Sequence, residues 1–191
     1  MPKSNASWDP EKFRLRRLVE RLIDMGEVEI HADPVPLSSL SNLIEANAKA
    51  HLFLKAGPEC HEVVAAVAGS RRRLAAAFGV AEESTRDEFS RRMSHPQKSF
   101  EVPSGDAPVQ EVVLERDDID LTKLPFHVQH EYDGAPYISS GVDFTRDPQT
   151  GRRNVGVRRM MLRGKDKAGI NLTGPSDLRQ IYLGCVERRE R

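Results

Sequence analysis

This chain of 191 residues has few cysteines, few aromatic side chains and no net charge. The two cysteines, Cys60 and Cys185, lie far apart and form no Cys-x-x-Cys pair, so neither a zinc site nor a disulfide framework is indicated. Disulfides mark oxidising compartments, and none is indicated here. We therefore expect a reducing, cytoplasmic location. The 29 basic residues balance 29 acidic ones, which excludes a global field that would attract nucleic acid.

Long hydrophobic runs are also missing. No stretch approaches the roughly 18 apolar residues of a membrane span, and the segment 1–9 is polar. These absences predict a protein with neither a membrane span nor an export signal. The arginines at 71–73 form a local positive cluster, but no aromatic side chains interleave with them, so a solvated helix start is favoured over a nucleic-acid site.

The first half of the chain alternates helical and strand patterns. Asp9 and Pro10 are typical of a helix start, apolar residues recur at helical spacing over 15–23, and Gly26 ends the run. Further helices are predicted over 39–49, 71–78 and 84–93, and strands over 27–30 and 51–55. This alternation indicates the α/β (α+β) fold class.

The domain boundary is predicted where the composition changes. Prolines and a glycine interrupt any regular element over 94–108. We therefore place an α/β domain at residues 1–105 and a second, β-rich domain at 106–191. The second domain is expected to contain strands over 111–116 and 170–173, a hairpin over 137–162, and a helix that Ser176 caps.

The hairpin carries the most informative pattern. Apolar side chains recur at a period of about two on both of its strands, and turn formers connect the strands over 147–151. Pro148 fixes φ at the corner, and Gly151 can take a positive φ. From this spacing alone, a solvated hairpin with a basic face is the favoured interpretation.

Several motifs, however, follow one another in the order known from one family. Over nearly its whole length the chain resembles the UbiD family of prenylated-flavin decarboxylases. The motifs are Gly26-Glu27-Val28, Asp33-Pro34-Val35, Gly69-Ser70-Arg71-Arg72-Arg73-Leu74-Ala75, Phe78-Gly79-Val80, Asp120-Leu121-Thr122-Lys123-Leu124-Pro125, Pro136-Tyr137-Ile138, Thr145-Arg146-Asp147-Pro148 and Asn154-Val155-Gly156.

The resemblance implies a fold for each part of the chain. The N-terminal α/β domain would be followed by the opening strands of a split β-barrel related to flavin reductases, and then by a C-terminal helix. A barrel needs about six strands to close, and residues 111–173 supply about four. We therefore expect a partial member of the family: a truncated gene product, a fragment, or one subunit of a larger enzyme.

The resemblance also implies a site. In the family a divalent metal, usually manganese, bridges the cofactor phosphate and the protein, and Asn154 matches the asparagine ligand. Arg159 matches the active-site arginine, whose guanidinium would hold the substrate carboxylate as a catalytic residue. The implied cofactor-binding residues are Asn154, Val157, Arg158, Arg159, Leu172, Thr173, Ser176 and Asp177.

Two features depart from this picture. Strict alternation puts Asn154 and Arg159 on opposite faces of one strand, and a bulge near Gly156 would reconcile them; without it, one of the two assignments is wrong. All six histidines precede the hairpin, so Ser176 or Asp177 stands where many members have a histidine ligand. At a helix start, Asp177 is interpreted first as a cap and only second as a metal ligand.

The implied activity is reversible, non-oxidative decarboxylation of an aromatic or α,β-unsaturated carboxylic acid. The implied cofactors are prenylated FMN and Mn²⁺ or another divalent cation, with K⁺ as a further candidate. A flavin prenyltransferase would supply the flavin, and a homo-oligomer or a complementing C-terminal chain is the expected assembly. The family's third metal ligand and its acid residues fall beyond Arg191, so we expect the isolated chain to be inactive.

Two other functions stay open. One is a non-catalytic assembly subunit, or a truncated remnant, that contributes oligomer contacts only. The other is ordinary flavin reduction, which is weaker because the chain has no Gly-x-Gly-x-x-Gly motif for a nicotinamide cofactor.

Overall fold

The structure, a computed structural model, describes residues 14–97 and 101–190. The chain divides into two units, Met1–Val113 and Leu114–Arg191. Each contains a three-stranded sheet and at least one helix, which confirms the mixed α/β class. Within the described ranges no helix is long and apolar enough to cross a membrane. The helix start at Asp9 and Pro10 lies outside the described residues.

The first unit is built around a mixed sheet. Strand β2 (Ala50–Ala56) lies at its centre, parallel to β1 (Val28–His31) and antiparallel to β3 (His61–Ala65). Four helices accompany this sheet: α1 (Leu15–Asp24), α2 (Leu40–Glu45), α3 (Arg71–Phe78) and α4 (Thr85–Ser94).

The core of the first unit comes from helices and sheet together. Leu22 of α1, Leu40 of α2 and Phe53 of β2 are completely buried. Burying one such side chain contributes roughly 1.5–3 kcal/mol. Apolar residues that pack around Leu40 and Phe53 are Val35, Leu37, Leu43, Ile44 and Val63.

Helix α3 begins and ends as its sequence predicts. Ser70 caps its first turn by accepting a hydrogen bond from the Arg73 N–H at 3.2 Å, and Gly79 ends it at a φ of 72°. The expectation of a solvated arginine cluster is wrong for Arg73, which is only 2% exposed. Its Nη1 donates to Glu27 Oε2 at 3.1 Å and to the Ala48 carbonyl at 2.9 Å, because helical geometry turns this third arginine inward.

The second unit contains an antiparallel sheet and one helix. Strands β4 (Tyr137–Arg146), β5 (Arg153–Gly164) and β6 (Lys167–Ile170) pair in chain order. The predicted hairpin is confirmed, and Gly151 takes a φ of 69° in its turn. Helix α5 (Asp177–Glu187) follows, and Ser176 caps it as predicted by accepting from the Arg179 N–H at 3.2 Å.

Other predicted elements differ from the structure. The strand expected over 111–116 is absent; a short 3₁₀ turn, Arg116–Asp118, follows instead. The last strand ends at Ile170 and not at 173, because the Asn171 side chain accepts hydrogen bonds from the Thr173 N–H and hydroxyl, forming a turn. The second helix is shorter than predicted, and β3 was not predicted at all.

Candidate functional site

The hairpin of the second unit has two chemically different faces. Directly opposed residues of β4 and β5 share a face, so the register assigns every side chain. The polar face consists of Gly141, Asp143, Thr145, Asn154, Gly156 and Arg158. The apolar face consists of Val142, Phe144, Val155 and Val157.

Asn154 lies on the polar face and is half-buried. Its Nδ2 atom is buried and has no hydrogen-bond partner in the protein. An unsatisfied buried polar group costs roughly 1–3 kcal/mol. Because a 180° flip exchanges the amide oxygen and nitrogen, this end of the side chain can present either a metal ligand or a donor to an anion. The orphaned atom is therefore suited to a bound group.

A charged pair lies next to Asn154 on the same face. Arg158 Nε is 2.9 Å from Asp143 Oδ1, and both side chains are largely buried. The alignment falls short of a hydrogen bond, so neither Asp143 oxygen has a hydrogen-bond donor. The pair lies over Gly156, where a Cβ atom would be 2.8 Å from Asp143 Oδ1. Sequence reasoning missed Asp143, although its opposite charge to Arg158 on neighbouring positions of one face was a usable signal.

Arg159 lies on the other face. Its guanidinium carbon is 4.5 Å from the centre of the Tyr137 ring, and its Nη2 is 3.7 Å from Asp133 Oδ1. The side chain is 55% exposed, so it can still meet a ligand carboxylate. Tyr137 and Asp133 thus hold the guanidinium without enclosing it.

The bulge near Gly156 that would reconcile Asn154 with Arg159 on one face is absent. Gly156 pairs regularly with Asp143, and the register shift lies between Ile138 and Gly141 on the opposite strand. Asn154 and Arg159 therefore lie on opposite faces of β5. A single pocket on one face of the sheet does not receive both side chains, and their roles stay predictions.

One edge of β5 nevertheless adjoins both positions. The β5–β6 ladder ends at Met160 and Ile170, and among the described strands only β4 pairs with β5 from there to the turn. At the far end, Asp177 of α5 forms an ion pair with Arg152. The segment 171–176 connects these two positions. We call the stretch 154–159 of β5 the open edge.

The open edge carries three of the predicted cofactor-binding residues besides Asn154. These are Val157, Arg158 and Arg159, whereas Leu172, Thr173 and Ser176 lie on the segment that connects β6 to α5. Six residues of strand span about 17 Å at roughly 3.3 Å per residue. An elongated ligand lying along the edge can meet Asn154 at one end and Arg159 at the other, on either face.

Asp177 has a partner of its own. Its carboxylate pairs with Arg152, and Ser176, not Asp177, caps the helix. An open cleft of about 210 Å³ adjoins this pair, between the hairpin turn and α5. Asp147 also lines the cleft, and the hydroxyl of Thr150 lowers the pKa of its carboxyl by donating a hydrogen bond to it. Asp177 is thus engaged in an ion pair.

Comparison with known proteins identifies the family. The model of the 3-octaprenyl-4-hydroxybenzoate carboxy-lyase Rift-related domain of UbiD matches residues 100–190. Over these residues the chain matches the UbiD family. Anhydromevalonate phosphate decarboxylase from Methanosarcina mazei is 30% identical over 178 residues, which are 92% of this chain and 40% of that enzyme.

Solved structures agree with this assignment. The evolved dimeric form of the UbiD-class enzyme HmfF from Pelotomaculum thermopropionicum, in complex with prFMN, matches with a TM-score of 0.85 and 28% identity over 93% of this chain and 42% of its own. The vanillic acid decarboxylase of Sedimentibacter hydroxybenzoicus matches in its closed form with a TM-score of 0.85, 27% identity and coverages of 93% and 41%. The chain thus spans about two fifths of the length of these relatives, two of which are decarboxylases.

Proposed function

We propose that the chain is the N-terminal part of a carboxy-lyase that decarboxylates an aromatic or α,β-unsaturated carboxylic acid reversibly and without net oxidation. The observation that carries this proposal is the open edge, which adjoins the orphaned amide of Asn154 at one end and Arg159 at the other. Its length suits a flavin nucleotide lying along the strand. The solved relative with prFMN bound supports the choice of ligand.

The residues at the Asn154 end fit a metal and a phosphate. An amide oxygen is a good ligand for a hard cation such as Mn²⁺, and the same cation attracts phosphate oxygens. Asn154 would hold this metal, and the cap region at Ser176 would contribute N–H groups at a helix start. K⁺ is a further candidate ion. Asp177 would have to leave Arg152 before it could bind a metal.

Arg159 would orient the substrate. A guanidinium stays charged and grips a carboxylate at two points, and here Tyr137 and Asp133 hold it in place. When bound, prenylated FMN supplies the electron sink for carbon–carbon cleavage. Arg158 is committed to Asp143, so its contribution is to fix the shape of β5 beneath the ligand.

Assembly belongs to the same proposal. The chain spans about two fifths of its relatives, so the remaining ligands and acids would come from a C-terminal segment or from a complementing chain. A homo-oligomer is the expected form of the whole enzyme, a flavin prenyltransferase would supply the cofactor, and the cytoplasm is the proposed location.

Flavin binding tests the site directly. With Mn²⁺ present, the 191-residue chain should quench FMN fluorescence, and Asn154→Ala should weaken binding by about tenfold, or roughly 1.4 kcal/mol. Gln149→Ala, which removes an exposed amide from the turn of the same hairpin, should leave affinity unchanged. Equal affinity of the Asn154→Ala variant and the parent would refute the assignment.

Measurements of turnover distinguish the role of Arg159 in holding the substrate from the role of Asn154 in holding the cofactor. Arg159→Ala should keep most of the FMN affinity but abolish decarboxylation once a C-terminal chain completes the enzyme, whereas Arg163→Ala on the same strand should keep both. The chain alone should turn over no carboxylic acid. Decarboxylation by the chain alone would contradict this proposal.

A second candidate is a non-catalytic assembly subunit. The apolar face favours it, because Phe144 is 80% and Val157 is 78% exposed. In that case Asn154→Ala and Arg159→Ala should leave oligomer formation intact, and Phe144→Ser should abolish it. Size-exclusion chromatography with light scattering measures assembly, and FMN binding that is present in the parent and lost in Asn154→Ala distinguishes the first candidate from the second.

A further inference from the structure

A compact group of metal-binding side chains lies in the first unit. Glu29 and His31 are two residues apart on β1, so they point to the same face of the sheet. The parallel register places His51 of β2 beside Glu29, and Phe53 beside His31. The fold therefore gathers three side chains that are distant in sequence on one patch of the sheet.

The distances suit a metal ion. His31 Nε2 is 3.1 Å from His51 Nδ1 and 3.7 Å from Glu29 Oε1, and one donor atom from each residue lies within 4.8 Å of the others. Two nitrogens bound tetrahedrally to zinc at about 2.05 Å are about 3.3 Å apart. The two imidazoles are thus already close to the separation that an ion between them requires.

The surroundings hold these donors in place. The ring of His31 stacks on Phe53 at 4.4 Å, and the Asn47 side-chain amide donates a hydrogen bond to Glu29 Oε2. Such outer contacts orient metal ligands. His51 is completely buried, whereas Glu29 is 43% exposed, so the group is closed below and open to solvent on one side.

The ring nitrogens of His51 also suit a ligand. Nδ1 lies 3.1 Å from His31 Nε2, so with the ring proton on Nε2 the Nδ1 lone pair turns toward His31. A simple histidine–histidine hydrogen bond uses one of these nitrogens and does not involve Glu29 Oε1, which lies 3.7 Å from His31 Nε2.

We propose that Glu29, His31 and His51 bind a divalent transition-metal ion, with zinc as the ion that two imidazoles and one carboxylate suit best. The fourth position faces solvent and takes a water molecule. The site ties β1 to β2 and is separate in the chain from the proposed flavin site. It does not depend on the proposed decarboxylase activity.

Zinc titration of the untagged, EDTA-treated 191-residue chain tests the site. A chromophoric chelator in competition should report one tightly held zinc per chain. His31→Gln and Glu29→Gln should each weaken binding by at least about tenfold. His61→Gln, which changes a half-buried histidine of β3 in the same sheet, should bind like the parent, as should Asn154→Ala. Circular dichroism checks that each variant is folded.

Cobalt gives a second readout. Co²⁺ in place of zinc should produce the intense visible bands of a tetrahedral site with nitrogen and oxygen ligands, and His31→Gln should lose them. Absence of stoichiometric zinc binding in the parent would overturn the proposal. Retention of parental affinity by both ligand variants, or an equal loss in His61→Gln, would overturn it as well.

Discussion

The two units have sheets of equal strand number but very different burial. In the first unit the central strand β2 has five of its seven residues buried, and only Leu54 and Lys55 are exposed. In the described part of the second unit, no residue is buried to that degree. The difference lies in what covers the sheets, because within residues 14–97 and 101–190 four α-helices accompany the first sheet and one accompanies the second. A sheet alone does not make a core.

The contrast in burial suggests a different role for each unit. The first unit can bury apolar surface with its own residues, and we assign it the role of a stable platform. The second unit displays an apolar face, an orphaned amide and an open strand edge, all of which are suited to further contacts. An unpaired strand edge is a site for pairing or for ligands. The described part of the second unit thus leaves more of its surface available for contacts than the first.

Two phenylalanines offer the sharpest test of the contrast. Phe53→Ala removes a completely buried ring from the core of the first unit and should lower the free energy of unfolding by about 3–5 kcal/mol. Phe144→Ala removes a ring that is 80% exposed and should change it by less than about 0.5 kcal/mol. Urea denaturation followed by circular dichroism measures both. Equal losses would mean that the apolar face is already packed.

Two glycines test the polar face at a smaller scale. Gly156→Ala would place a Cβ atom 2.8 Å from Asp143 Oδ1, so the Asp143–Arg158 pair must shift, at a cost of about 1–3 kcal/mol. Gly164→Ala, on the same strand, meets nothing within 4 Å and is the matched control. Hydrogen exchange of β5 amides should accelerate in Gly156→Ala alone. Unchanged exchange there would show that the pair does not constrain the strand.

Sequence reasoning predicts local features well and long-range contacts poorly. Local signals such as the Ser70 cap, Gly79 and the hairpin turn predict elements correctly because they act over a few residues. The inward turn of Arg73 depends on Glu27 and Ala48, which lie far away in the sequence. No local pattern distinguishes it from Arg71 and Arg72, its exposed neighbours.

The candidate site shows the same limit. Family resemblance supplies Asn154 and Arg159, but the position of the bulge and the role of Asp143 depend on the register between strands. The group of Glu29, His31 and His51 likewise forms only when β1 and β2 pair in parallel. Sequence spacing does not show pairing between strands 20 residues apart.

The smallest expected effect concerns pH and α4. Hydrogen bonds from the Arg91 and then the Arg92 side chain lower the pKa of Glu88 to about 2. Because the pKa is lower in the folded state than its ordinary value of 4.5, the pair stabilises the protein above pH 4.5, and this contribution is lost as the pH falls toward 2. Arg91 is well exposed to solvent, so the loss should be small.

Glu88→Gln isolates this effect. Parent and variant should differ in melting temperature near pH 6 and converge as the pH falls from 4.5 to about 2, whereas Glu83→Gln should follow the parent throughout. The second unit has its own acid-sensitive group, since Thr150 lowers the pKa of Asp147, and that contribution is common to all three proteins. The difference between parent and Glu88→Gln therefore reports α4 alone. A difference in melting temperature that did not change with pH would mean that Glu88 does not titrate in this range. The hydrogen bonds that it accepts from the two arginines would then not govern its pKa.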